Sequence, residues 1–361
     1  MLHIQENISL KNFNTFHIDV KARFFVEVKS MQDMQELWES WLCNQYPFFL
    51  LWGGANILFT KDYPWVIIKV SLTDMMMIRE DSEYVYVRAW AGENRHQFVM
   101  WCVGQNFWGL ENLALIPGTV GASAVGNIGA YGVEVKDLID EVQYIHVESR
   151  KPSKGDTSKV NSQTDFSQNI KTLKNAECKF AYRESIFKHE LQWIALITSI
   201  TFKVKKADKN YTLNLGYKDI QQVIAEKGMN PESLTMKDIP SIIIAIRQSK
   251  LNDPLQTWTA GSFFKNPVIT EEAYLSLQKQ YPTLVGNKVH EWMKLSAGQL
   301  IELAGLKGYK QWHVWVSSKH ALILINLWDG TGEEMVQLAN HILSEVKRNF
   351  WITLDPEVII M

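Results

Sequence analysis

Between Gly109 and Gly132 the chain reads GLENLALIPGTVGASAVGNIGAYG. From Gly118 to Gly132 a glycine recurs every three to five residues, and no side chain in that stretch is charged. Glycine loses more backbone entropy on ordering than any other residue, so its repetition costs stability unless the backbone must approach something closely. A run of N–H groups with no side chains in the way suits a diphosphate. A glycine-rich loop between core elements satisfies the same spacing, and spacing alone leaves both readings open.

The elements that must position this loop follow from hydrophobic periodicity. Met34, Leu37, Trp38, Trp41 and Leu42 lie at helical spacing, which predicts an amphipathic helix over Met31 to Gln45. Phe48 to Trp52 is an apolar run halted by Gly53-Gly54, the pattern of a buried strand entering a tight turn. Val66 to Val70 and Tyr84 to Ala89 read as strands, and Asn94 to Gln105 as a helix stopped by the turn Asn106 to Gly109. Strand and helix thus alternate over residues 1–210, an α+β or α/β pattern. Arg150 to Glu177 is rich in Ser, Thr, Lys, Asp and Asn and reads as an exposed, mobile insertion, with Lys205 to Asn210 as a second polar linker. Further on, Ser296 with Gln299 and Thr331 with Glu334 are capping-box pairs opening helices, the second running to about Phe350. Trp351 to Met361 reads as a strand.

A chain of 361 residues holds two or three domains, and 46% hydrophobic with 21% charged residues is ordinary for a globular protein. The formal net charge of −2 gives no global attraction for nucleic acid or anionic membrane, so an anionic ligand must be met by local Arg and Lys clusters. Cys43, Cys102 and Cys178 are too few and too far apart for a disulfide framework, and the nine histidines show no metal-ligand spacing. Reduced thiols, no metal, no signal peptide and no membrane insertion place the protein in the cytoplasm on this reading. A G-x-G-x-x-G after a strand and a G-x-x-x-x-G-K-[ST] are both missing, which removes the Rossmann and P-loop readings.

Short runs scattered through nearly the whole chain add a further signal. They are Asn14-Thr15-Phe16, Gly53-Gly54-Ala55-Asn56-Ile57-Leu58-Phe59, Ala91-Gly92-Glu93-Asn94, the glycine run, Tyr182-Arg183-Glu184-Ser185-Ile186-Phe187-Lys188, and Tyr217-Lys218-Asp219-Ile220. After them come Arg247-Gln248-Ser249-Lys250, Gly261-Ser262-Phe263-Phe264-Lys265-Asn266-Pro267, Lys294-Leu295-Ser296-Ala297-Gly298, Gly305-Leu306-Lys307-Gly308 and Asp355-Pro356-Glu357-Val358. In this order they resemble the motifs of the UDP-N-acetylenolpyruvoylglucosamine reductases, flavoenzymes of peptidoglycan precursor synthesis, and so of cell-wall biogenesis, cell shape and division.

The resemblance implies an α+β architecture: a two-subdomain FAD-binding fold of the vanillyl-alcohol-oxidase/PCMH type, followed by an α+β substrate-binding domain. It divides the chain into a flavin domain over 1–210, a substrate domain over 211–350 and a C-terminal strand, 351–361, that returns a catalytic glutamate. It implies non-covalent FAD, NADPH as co-substrate, a UDP-sugar enolpyruvyl ether as substrate, and a monomer. The pyrophosphate falls to Gly53, Gly54, Ala55 and Asn56, together with Pro117, Gly118, Gly121, Ala122, Ser123, Asn127, Ile128, Gly129, Tyr131 and Gly132.

Reducing an enolpyruvyl ether needs a hydride at one carbon, a proton at its neighbour and a clamp for the enolate-like charge that builds between the two events. Side chains cannot deliver hydride, so a flavin must. The family match makes Ser262 the proton donor, Arg183 the guanidinium on the substrate carboxylate, and Glu357 the third catalytic residue. It gives Tyr217, Lys250, Asn266 and Lys265 to the substrate, and places the chain in the subgroup that folds a tyrosine-bearing loop over it. Several positions depart from the family pattern: Trp52, Ala55, Gly126, Ser317 and the segment Trp312-His313-Val314-Trp315. A lost hydrogen bond to a charged group costs about 1.5–3 kcal/mol, so weaker FAD binding is expected. An oxygen-using oxidase is a competing reading, but the loop has neither the His nor the Cys that tethers flavin in many such enzymes. A non-catalytic binding protein is the third; the intact Ser262, Arg183 and Glu357 argue against it.

Overall fold

The computed structural model describes residues 2–147, 166–206, 211–250 and 257–361. The chain divides into two compact units that cross the sequence. The first is Met1–Ile8, Ala22–Gly53 and Pro64–Arg247; the second is Ser9–Lys21, Gly54–Tyr63 and Gln248–Met361.

The strand Ala195–Lys206 (ALITSITFKVKK) organises the first unit. It is rich in β-branched residues and buried at each of its first eight positions, the mark of a strand covered on both faces. It pairs antiparallel with Ile139–His146 on one side and Tyr84–Trp90 on the other. Ile170–Lys174 and Met75–Glu80 form the outer strands of that sheet. A second sheet orders its strands as Ile4–Ser9, Lys21–Val28, Tyr63–Val70 and Phe48–Leu51. The last two pair in parallel, Phe48 opposite Val66. One hydrophobic cluster, from Phe24 through Phe98 and Ile200 to Ile246, fills this unit.

The second unit holds two small antiparallel sheets, Val268–Thr270 with Trp292–Leu295 and Gly286–Val289, and Lys310–Gln311 with Val314–Val316 and Leu324–Asn326. Its long helix is Gly332–Phe350, with both bonds of the Thr331–Glu334 capping box in place. Ser296 accepts from Gln299 N to open Ala297–Leu303.

The structure departs from the sequence reading in five places. The helix expected over Met31 to Gln45 is two, Met31–Glu39 and Trp41–Gln45. At Ser40 the backbone turns extended, and the hydroxyl donates to the Leu37 carbonyl at 2.6 Å, the local competition by which serine interrupts helices. Within the supposed insertion, Ile170–Lys174 is an edge strand paired with Ile139–His146, with Lys174 on Glu141 at 2.7 Å. Phe166–Asn169 and Asn175–Cys178 are short 3-10 turns on either side of that strand, and 150–165 lie outside the described residues. Lys205 and Lys206 close the central strand instead of opening a linker; 207–210 are likewise outside the described residues. The boundary between units falls after Arg247, later than residue 210, because Ile220, Ile224, Ile239, Ile242 and Ile246 are buried in the first unit's core. Finally, of the expected strand Trp351 to Met361 only Ile359–Ile360 is a strand, parallel with Ile57–Leu58, while Pro356 makes a single bridge to Phe264.

Candidate active site

In the first unit the glycine run folds as a turn, a short helix and a hairpin. The helix is Val120–Gly126, ended by Asn127 in the left-handed region. Gly129–Ala130 and Val133–Glu134 form the hairpin, with Tyr131 and Gly132 both at positive φ in its turn. Asn127 is fully buried and holds this geometry: its amide donates to Glu134 and to the Ala181 carbonyl at 3.0 and 2.8 Å, and its Oδ1 accepts from Lys136 N at 3.1 Å.

The turn at Pro117–Thr119 is the part with unmet hydrogen-bonding capacity. The N–H groups of Gly118 and Thr119 make no hydrogen bond among the described residues. Thr119 Oγ1 is buried without a partner. Gly53 packs against the same turn so closely that a Cβ there would lie 2.9 Å from Gly118 Cα. Two backbone turns in contact, with donors unpaired, form a concavity of the kind that accepts phosphate.

Three guanidiniums surround this run. Arg183 is half-buried at positive φ (58°), the tip of a turn closed by a bridge between Ala181 and Glu184. A non-glycine residue in that conformation stores backbone strain, which concentrates at functional sites. Arg183 Nη2 donates to the Gly129 carbonyl at 2.8 Å, and the Lys188 ammonium fixes the Arg183 carbonyl at 2.7 Å. Arg247 donates to the Leu115 carbonyl at 3.1 Å. Burial pushes its guanidinium below the ordinary range, opposed by Tyr131. Burial likewise raises the Tyr131 hydroxyl, with Arg247 pulling it back. Arg95 is pushed down to about 9 by burial first, then by Arg247 and Arg183. Sequence reasoning gave no role to Arg95 or Arg247. Their position directly after Gly92-Glu93-Asn94 and at the head of Arg247-Gln248-Ser249-Lys250 was the available signal. Tyr217 is 45% exposed at the start of Lys218–Glu226, its ring edge-on to Tyr131 at 5.3 Å.

The second unit gathers Ser262 and Glu357. Ser262-Phe263-Phe264 runs between two extended segments, with bridges from Ser262 to Ile323 and from Phe264 to Pro356. Glu357 N donates to the Phe263 carbonyl at 2.8 Å, so the glutamate is fixed one residue from the serine's register. Ser262 is exposed and Glu357 half-buried. Lys265 N is held by the Asp355 carbonyl at 2.8 Å, and Asn266 Oδ1 accepts from Ala297 N at 3.0 Å, tying this segment to the helix Ala297–Leu303. Asn14 is the buried clasp of a loop, bonded to Leu10 and Ile18 carbonyls, while Phe16 packs on Phe263 with centroids 6.3 Å apart. Thr15 N donates to the Gly54 carbonyl at 3.0 Å. Lys250 is exposed at the end of the helix Ile239–Lys250.

Two departures from the family pattern have a visible accommodation. Trp52 packs on the helix Val120–Gly126, where a Cβ at Gly121 would lie 2.9 Å from the indole. Ser317 is buried and caps its own turn, accepting from Lys319 N and His320 N. Among the described residues no group of three His, Cys, Asp or Glu side chains forms a metal site, and no helix is long and apolar enough to cross a membrane.

Residues 22–148 match the FAD binding domain family, and residues 253–361 match the family described as UDP-N-acetylenolpyruvoylglucosamine reductase, C-terminal domain. The UDP-N-acetylenolpyruvoylglucosamine reductase of Chromobacterium violaceum is 41% identical over 361 residues, 100% of this chain and 99% of that one. That of Flavobacterium johnsoniae is 38% identical over 358 residues, covering 99% of each. The crystal structure of the UDP-N-acetylenolpyruvylglucosamine reductase from Thermus caldophilus superposes with a TM-score of 0.64 at 18% identity, covering 100% of this chain and 99% of that one, a likeness of fold. Fold and site thus define an FAD oxidoreductase of the α+β flavin-binding class. The chain belongs to the UDP-N-acetylenolpyruvoylglucosamine reductase family, whose reaction serves peptidoglycan precursor synthesis. The Pro117–Thr119 turn, with its orphan hydroxyl and unpaired amides, fits the diphosphate of that cofactor.

Proposed function

We propose that the protein reduces the enolpyruvyl ether of UDP-N-acetylglucosamine enolpyruvate to the lactyl ether of UDP-N-acetylmuramate, consuming NADPH and one proton and releasing NADP+. The observation that carries this reading is the whole-length identity of 41% to the Chromobacterium violaceum reductase, together with Arg183, Ser262 and Glu357 at the matching motif positions. When bound, FAD would supply the hydride chemistry that links NADPH oxidation to reduction of the double bond at its methylene carbon.

The protein's own residues handle charge and proton. The Arg183 guanidinium grips the substrate carboxylate through two parallel N–H donors and stabilises the enolate-like charge that spreads onto it. Its strained backbone and its hydrogen bond to the Gly129 carbonyl support this role by fixing its orientation. The Ser262 hydroxyl, which makes no hydrogen bond among the described residues, gives its proton to the carbon bearing the ether oxygen. Glu357, held by its main chain beside Phe263, orients the reacting group and assists that proton delivery. Lys265, Lys250 and Asn266 meet the anionic and polar parts of the sugar nucleotide, Tyr217 folds over it, and the second unit with the 351–361 tail is the substrate-binding part. We take the enzyme to work as a cytoplasmic monomer.

Ser262→Ala separates the half-reactions. Flavin reduction by NADPH stays near normal, while reoxidation by the sugar nucleotide slows at least about a hundredfold, the usual loss for a general acid. Equal loss in both half-reactions removes Ser262 from the proton-donor role.

A further inference from the structure

Arg95, the first residue of the helix Arg95–Gly104, is 5% exposed, and its guanidinium and main-chain N–H bind the Pro117–Thr119 turn and the helix that follows it. Its Nη1 donates to the Pro117 carbonyl at 2.8 Å, its main-chain N to the Gly118 carbonyl at 3.1 Å, and its Nη2 to the Thr119 carbonyl at 3.0 Å. Its Nε donates to Ser123 Oγ at 2.8 Å. Three consecutive carbonyls therefore face one residue. In a trans peptide the N–H points opposite to the C=O of the same unit. Turning the Pro117 and Gly118 carbonyls toward Arg95 thus aims the N–H groups of Gly118 and Thr119 away from it, and these are the two amides without a partner among the described residues. Thr119 Oγ1, buried and unbonded, lies in the same turn.

The charge is as informative as the geometry. No carboxylate pairs with Arg95 among the described residues, and the charged groups that act on it are Arg247 and Arg183, both positive. A buried charge without a counter-ion is strongly unfavourable, so its retention points to an anion supplied from outside the chain.

We propose that Arg95 is a positioning residue for the cofactor's diphosphate: it holds the Pro117–Thr119 carbonyls so that the amides face the phosphates, and it contributes the buried positive charge that the diphosphate neutralises. This rests on the flavin assignment above.

The test is equilibrium binding to apoprotein of FAD and, separately, of riboflavin, which has the ring but no phosphate. For Arg95→Met, FAD affinity is expected to fall about thirty- to a hundredfold, the range for lost charged hydrogen bonds. Riboflavin affinity is expected to change less than about threefold, and the salt dependence of FAD binding to flatten. Arg95→Lys, which keeps the charge without the fork, falls between. Thr119→Val, which removes only the orphan hydroxyl, loses severalfold for FAD alone. Equal weakening of both ligands, or unchanged FAD binding in Arg95→Met, overturns the proposal. Should Arg95→Met not fold, Arg95→Lys and Thr119→Val decide on the same ratio. Wild-type apoprotein that binds neither ligand would overturn the flavin assignment instead.

Discussion

The side-chain amide of Asn56 donates to the main-chain carbonyl of Glu357 at 3.1 Å, across 301 positions of sequence, and the Asn56 carbonyl in turn accepts from Ile359 N at 3.1 Å. The turn that follows Gly53-Gly54 is therefore a bracket for the C-terminal glutamate as well as a candidate cofactor contact. Asn56→Ala removes one ordinary hydrogen bond and is expected to cost about 1 kcal/mol of stability. Because the bond it removes positions Glu357, reoxidation of reduced enzyme by substrate should slow about tenfold, as small misplacements of catalytic groups do. Stopped-flow measurement of both half-reactions checks this; an unchanged substrate half-reaction would show that the bracket does not set the glutamate's position.

Gly54 sits at φ 62°, and a Cβ there would lie 2.0 Å from the Phe13 carbonyl oxygen. Neither backbone can yield without breaking the Thr15-to-Gly54 hydrogen bond. Gly54→Ala is expected to lose about 3 kcal/mol or more, combining left-handed strain with a backbone clash. Gly104, the last residue of its helix with nothing within 4 Å of a built Cβ, is the control: Gly104→Ala should be neutral or stabilising by up to about 1 kcal/mol. Urea midpoints of the two variants measure the contrast, and equal midpoints would refute it.

Much of this was legible in the chain. Ser and Thr followed three residues later by Gln or Glu marked the starts of Ala297–Leu303 and Gly332–Phe350, because a cap is a local bargain between neighbours in sequence. The glycine run announced a close backbone approach, and the structure puts Gly53 against Gly118. What stayed hidden depends on distant partners. Ile170–Lys174 has only Ile170 and Leu173 to signal a strand, and at a spacing of three they fall on opposite faces, so no apolar alternation shows. The amphipathic helix Lys218–Glu226 shows that Ile220 and Ile224 are buried but not against which core. Nothing local beyond its place after Gly92-Glu93-Asn94 marked Arg95, because its partners are carbonyls 22 and 24 positions away and a hydroxyl 28 away.

Glu27 gives the first unit an acid sensitivity. Burial would raise its carboxyl, but hydrogen bonds from Lys69 at 2.6 Å and Ser71 at 2.7 Å, with Lys29, outweigh it and hold the group at about 2 against an ordinary 4.5. A depressed carboxyl stabilises the fold above its unfolded value and loses that contribution as pH falls from about 4.5 toward 2. Allowing for partial exposure, the contribution is about 1–2 kcal/mol. Glu27→Gln should therefore be less stable than the parent at pH 6 and converge with it near pH 2.5. Parallel stability curves across that window would contradict the assignment.

In the proposed reaction a bound flavin would couple oxidation of NADPH to reduction of an enolpyruvyl sugar nucleotide. The most direct measurement is anaerobic: add NADPH to the purified holoenzyme, follow the visible absorbance of the oxidised flavin, then add UDP-N-acetylglucosamine enolpyruvate. Bleaching by NADPH, with colour returning only on addition of the sugar nucleotide, is the expected result. A flavin that bleaches and then recovers with oxygen but never with the sugar nucleotide would contradict the account and make the protein an oxidase.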